Sequence, residues 1–154
     1  MQNPELFGDL LQIALDVSNK NHYKACWILE LVLEKKINWL QPFLVEFCDK
    51  LLQFSHDSAI RPMAKMVMFC ARQHLKENKL LTQSQLQKMA GACFHWLITD
   101  QKVAVKAYSM YALYELGKFE SWIYPELKAI ISKDFPIHSA AYKSAAKKLL
   151  PKLK

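Results

Sequence analysis

The sequence predicts an all-α protein, an α-α superhelix of about eight helices stacked as repeats. Three observations carry that expectation. Apolar residues follow helical spacing along almost the whole chain, glycine is scarce, and a pattern recurs after 82 to 83 residues. Only Gly8, Gly91 and Gly117 occur, too few for the turns of a sandwich or the phosphate loops of a doubly wound sheet.

The elements follow in order. Leu6, Leu10, Ile13, Ala14 and Val17 fall at three- and four-residue spacing and predict a helix over 5–17. Tyr23, Trp27, Leu31 and Glu34 predict the second over 22–35, with a break at Lys36-Ile37-Asn38. Residues 39–54 form the third, with Pro42 in its first turn, where a missing N–H costs nothing. FSHDS at 54–58 reads as a turn, with Asp57 or Ser58 capping a helix over 59–77 that again carries a first-turn proline, Pro62. After a loop from Asn78 to Leu81, Thr82 or Ser84 caps 84–98 and Thr99-Asp100 caps 102–116. Gly117 suits the residue after that helix. Helices over 120–133 and 138–150 close the chain, divided by Asp134-Phe135-Pro136. With no linker or low-complexity tract, residues 1–154 are expected to form one domain.

The repeat is the most informative feature. Trp39-x-x-Pro42-x-Leu44 recurs as Trp122-x-x-Pro125-x-Leu127, Lys24-Ala25 as Lys106-Ala107, and Arg61 as Lys143. A half-period aligns Tyr23-Lys24, Ile60-Arg61, Val105-Lys106 and Tyr142-Lys143. Three residues after each basic position stand Trp27, Ala64, Ser109 and Ala146; seven after stand Leu31, Met68, Leu113 and Leu150. The last two leucines are expected between stacked pairs, and the tryptophans are expected in the core with their polar edge at its rim.

This pattern resembles the HEAT repeat, whose first helix reads as a capping Asp, then Val-Arg, then a small residue and leucines. Asp57…Ile60-Arg61…Ala64…Met68 and Asp100…Val105-Lys106…Ser109…Leu113 match best, while Trp27 replaces the small residue in the first unit. The resemblance implies three helix pairs with an additional capping helix, and a binding or scaffolding role, since such pairs are stable only when stacked.

Charge and cysteines bound the function further. Residues 1–100 carry 11 basic and 10 acidic side chains, residues 101–154 carry 10 and 4, so the last third supplies +6 of the +7. Candidate binding residues are the column Lys24, Arg61, Lys106 and Lys143, with Lys147 and Lys148 beside it on the last helix. One account is structural, a ladder of Asp57–Arg61 and Asp100–Lys106 pairs; the other is a positive edge that meets an acidic partner. The partner expected is another protein, with nucleic acid as the alternative through the basic last third. A helical stack of this kind is similar to the helical-repeat DNA glycosylases, which use an Asp at the reaction centre, although Asp57, Asp100 and Asp134 read as helix caps.

No phosphate loop, H-E-x-x-H or G-x-S-x-G occurs, and neither catalysis nor a cofactor is expected. Cys26, Cys48, Cys70 and Cys93 lie in apolar helical surroundings and read as reduced core thiols. Cys70–His74 with Cys93–His95 is the one candidate zinc constellation, and it lacks the usual spacing. No stretch approaches a bilayer span, and MQNPELFGDL lacks the basic and apolar regions of a signal peptide. A cytoplasmic location without membrane contact is therefore expected.

Overall fold

The computed structural model describes residues 3–77 and 80–154. Its α-helices are α1 (Pro4–Leu15), α2 (His22–Lys36), α3 (Leu44–Lys50), α4 (Asp57–Glu77), α5 (Gln83–Ile98), α6 (Val103–Leu116), α7 (Ile123–Asp134) and α8 (Ala140–Leu149). Short 3-10 segments precede α3 (Ile37–Phe43), follow it (Leu51–Gln53), and follow α7 and α8. No strand occurs among the described residues. The expected loop from Asn78 to Leu81 lies partly outside them.

The helices form two rows. In the front row α2, α4, α6 and α8 pack side by side. Small residues fill their contacts: Ala59, Ala64, Ala71, Ser109, Ala112, Ala145 and Ala146 are buried, which lets the axes approach closely. The back row runs α1, α3, α5, α7. There α5 packs on α3 and α7, and Gln12 of α1 donates to Glu46 of α3 at 3.2 Å. Phe7 meets Trp39 and Phe43 at ring distances of 5.7 and 6.0 Å. One continuous apolar core lies between the rows, so each additional pair extends the same core.

Several local expectations change. The third helix is not one α-helix. Pro42 sits inside the 3-10 segment Ile37–Phe43, and regular α-helix begins only at Leu44. The cap of α4 is His56, not Asp57 or Ser58. Its Nδ1 accepts from the Ser58 N–H at 3.1 Å, and its carbonyl accepts from Ala59 and Ile60 at 2.9 and 3.0 Å. Because α4 starts early, Pro62 falls within the helix and leaves the Ser58 carbonyl without its usual N–H. The Trp27 indole N–H of α2 donates there at 2.7 Å.

Thr82 caps α5 in a full capping box with Gln85. Thr99 instead ends that helix, its hydroxyl donating to the His95 carbonyl at 2.7 Å, while α6 starts after Lys102 with no side-chain cap. Gly117 stays right-handed at φ −63. It is needed for room, since a Cβ there would run into the Tyr124 ring. Leu113 is fully buried. Leu150 is only half-buried, because the chain tightens into 3-10 geometry at that residue and turns Leu149 into the core in its place.

Candidate functional site

An open surface hollow lies on the back row, between α5 and α7. Phe94 of α5 stacks on Trp122 at the entrance of α7, with ring centroids 5.6 Å apart. With Ile98, Glu126 and Ile130 they line an open hollow of about 390 Å³. Ile98 is the last residue of α5, and the helix stops there with the side chain 63% exposed. Glu126 supplies a carboxylate at the wall, so the hollow is apolar with one acidic edge.

A second hollow of about 240 Å³ lies between α5 and α3, lined by Cys48, Asp49, Leu52, Lys88 and Gly91. Lys88 bridges the two helices by donating to Asp49 at 2.6 Å, and that carboxylate raises the Lys88 pKa. A Cβ at Gly91 would meet nothing within 4 Å, so packing does not demand this glycine; its effect is to leave the floor open. Val45 and Leu52 project from the same row, 67% and 61% exposed.

The basic column is distributed differently. Lys24, Arg61, Lys106 and Lys143 do fall on α2, α4, α6 and α8, one per front-row helix. Lys106 is buried, however, while Lys24 and Arg61 are exposed. Lys143 is half-buried with its ammonium 5.6 Å from the Phe135 ring centre. Lys147 and Lys148 are exposed on α8. The column is therefore interrupted at α6.

Nor do the expected ladder pairs form. Asp57 lies 3.9 Å from Lys102, and neither Arg61 nor Lys106 has an ion-pair partner among the described residues. The pairs that stitch the front row run between helices. Glu30 of α2 accepts from Lys65 of α4 at 3.1 Å, and Lys65 sits 5.2 Å from the Tyr108 ring centre of α6. Glu115 of α6 accepts from Arg72 of α4 at 3.5 Å, and locally from Lys118, three residues on, at 2.8 Å.

The thiols are poor nucleophiles. All four are free and buried, and burial pushes Cys26 and Cys48 up to about 12 and raises Cys70 and Cys93 further. His74 is buried too, and desolvation lowers its pKa. Its Nδ1 accepts from the Leu81 N–H at 3.1 Å, which occupies one of the two ring nitrogens. Among the described residues no group of three or more His, Cys, Asp or Glu gathers as a metal site would require. Asp57, Asp100 and Asp134 stand at three separate helix junctions.

Two rows of paired helices around one core, with capped turns and no sheet among the described residues, are the geometry expected of a helical repeat. The family model for the HEAT repeat domain matches residues 1–153. The chain belongs to the HEAT repeat family. No curated protein and no solved structure matches it. As a HEAT domain it is a helical-repeat scaffold, a class of interaction module built for extended surface rather than for a closed cavity. No described helix is long and apolar enough to cross a membrane.

Sequence reasoning missed exposed Ile98 and half-buried Phe94 and Ile130 as lining residues and placed Trp122 in the core. Trp96 does lie in the core, but Trp39 is half-buried, and Trp27 and Trp122 are exposed by 48% and 44%. The only signal in the sequence was the recurrence of Trp39-x-x-Pro42 as Trp122-x-x-Pro125. Recurrence fixes equivalent positions and says nothing about which of the two is covered.

Proposed function

We propose that this HEAT domain is a non-catalytic module that binds another protein through its back row. The observation that carries this reading is the Phe94–Ile98–Trp122–Ile130 hollow, where exposed Trp122 and Ile98 stand beside half-buried Phe94 and Ile130. Large exposed apolar groups clustered in this way mark interaction sites, and tryptophan in a shallow hollow is a frequent energetic anchor. Glu126 favours a partner segment that presents an apolar side chain next to a basic one. The buried, high-pKa thiols and the dispersed aspartates support a role without catalysis. The interruption of the basic column at Lys106 weighs against the nucleic-acid alternative.

The test begins with a pull-down from the native host, followed by mass spectrometry and titration of the recovered protein. Trp122→Ala combined with Ile98→Asp should weaken that binding by at least about tenfold while helical circular dichroism stays unchanged. Undiminished binding by the double variant would exclude this face.

A further inference from the structure

Gly91 stands in the middle of α5 in ordinary helical backbone. Glycine weakens a helix interior more than any residue except proline. What it offers in return is close approach to the backbone. Nothing in the chain itself makes that approach. A Cβ at Gly117 would run into the Tyr124 ring and one at Gly8 would touch Phe43 at 3.7 Å, whereas one at Gly91 would meet open space. The position is exposed as well.

Gly91 also lies between the two back-row hollows. On the α3 side it lines, with Lys88, the hollow that holds Cys48 and Leu52. Three residues on, Phe94 opens the α7 side, where Ile98, Trp122 and Ile130 line the other. The outer ridge of α5 that separates them exposes Gln87, Lys88, Gly91 and His95. Without a side chain, Gly91 is the low point of that ridge.

On the protein-binding reading of the α5–α7 hollow, we propose that the partner docks as an amphipathic helix laid across α5. Its backbone passes over Gly91, and one apolar side chain enters each hollow. A helix is the occupant able to press its backbone there. The N–H and C=O groups of mid-α5 are bonded within the helix. An extended segment would bring its own groups against them unpaired, whereas a helix bonds its own.

Spacing and charge set the side chains of that helix. Neighbouring helices in a row lie about 8–10 Å apart, and from the level of Lys88–Gly91 to that of Phe94–Ile98 is about 10 Å along α5. The diagonal of about 13 Å falls between two and three turns of the partner helix. A small residue between the two apolar ones meets Gly91. Of the carboxylates lining the hollows, Asp49 is held by Lys88 at 2.6 Å, and Glu126 has no ion pair among the described residues. Lys133, on the same stripe of α7, stands about 10 Å further along. A lysine or arginine therefore belongs beside the apolar residue that enters the α7 side.

Stability and binding should respond in opposite directions at Gly91. Gly91→Ala and Gly91→Gln place better helix formers at an exposed position, and each should raise the melting temperature of the full chain by about 2–4 °C. The binding probe is a set of phage-displayed helical peptides of about 18 residues, five turns, with one face randomised. Those selected on the full chain should carry two apolar residues between two and three turns apart, a small residue between them and a basic one beside either. Gly91→Gln should weaken their binding by at least about tenfold, since its side chain fills the low point of the ridge. A melting temperature of Gly91→Ala that stays or falls would show that the fold needs the glycine, and would overturn the proposal. So would a selection that yields no binder, or peptides that hold Gly91→Gln as tightly as the parent chain. Where such peptides are still weakened by Trp122→Ala with Ile98→Asp, the α5–α7 hollow stands as a site and only the helix across α5 falls.

Discussion

Leu113 lies at the centre of α6, fully buried, and α6 is the one helix that touches α4, α5, α7 and α8. Truncation to alanine therefore opens a hole inside the continuous core. Leu113→Ala should lower stability by about 2–5 kcal/mol, read as a lower urea midpoint with an unchanged slope. A loss below about half a kcal/mol would place Leu113 outside the core. Its repeat equivalents do not share its environment. Met68 is buried, Leu150 is half-buried and Leu31 is among the most exposed apolar side chains. Identity of position in the repeat was legible, whereas burial was not, because burial depends on whether a neighbouring pair exists to cover the residue.

At the scale of elements, the junction of α2 with α4 shows how a local defect is repaired from outside the helix. Pro62 removes the N–H that would reach the Ser58 carbonyl, and the Trp27 indole supplies another at 2.7 Å. Trp27 also packs edge-on to Tyr23 at 5.3 Å, and Tyr23 stacks on the capping His56 at 4.5 Å. Trp27→Phe should cost about 1 kcal/mol, the net worth of one hydrogen bond. In a Pro62→Ala background, where the backbone N–H returns, the same change should cost less. A double-mutant cycle of thermal melts measures the difference, and a coupling near zero would show that the indole is not repairing the proline gap. The sequence displayed both residues but placed Pro62 in the first turn. With Asp57 or Ser58 as the cap the helix begins at 59, whereas the His56 cap starts it at Asp57 and carries Pro62 into the second turn.

Over the whole molecule the net charge of +7 is not concentrated into a track. Lys147 and Lys148 are exposed on α8, Lys24 and Arg61 on α2 and α4, and Lys106 between them is buried. A chain with this arrangement should hold generic duplex DNA no more tightly than about 10⁻⁴ to 10⁻⁶ M at physiological salt. Changing Lys143, Lys147 and Lys148 to Glu should abolish what binding there is, as measured by fluorescence anisotropy across a salt series. A sub-micromolar, damage-selective affinity would promote the glycosylase-like alternative over protein binding.

Class, repeat and most helix ends were determined by the sequence alone, because they depend on local quantities: the period of apolar residues, the chemistry of a cap such as Thr82, the scarcity of glycine. The sequence also displayed both apolar stripes of the first pair, Leu6-Leu10-Ile13-Val17 and Tyr23-Trp27-Leu31. It could not say that the core would instead take Phe7, Leu11 and Leu15 from α1 and Cys26, Leu29 and Leu33 from α2. A helix rich in apolar residues offers more than one face, and helical spacing is satisfied by each. Which face turns inward is settled only when α3 and α4 pack against one flank, and that choice leaves the other stripe as surface.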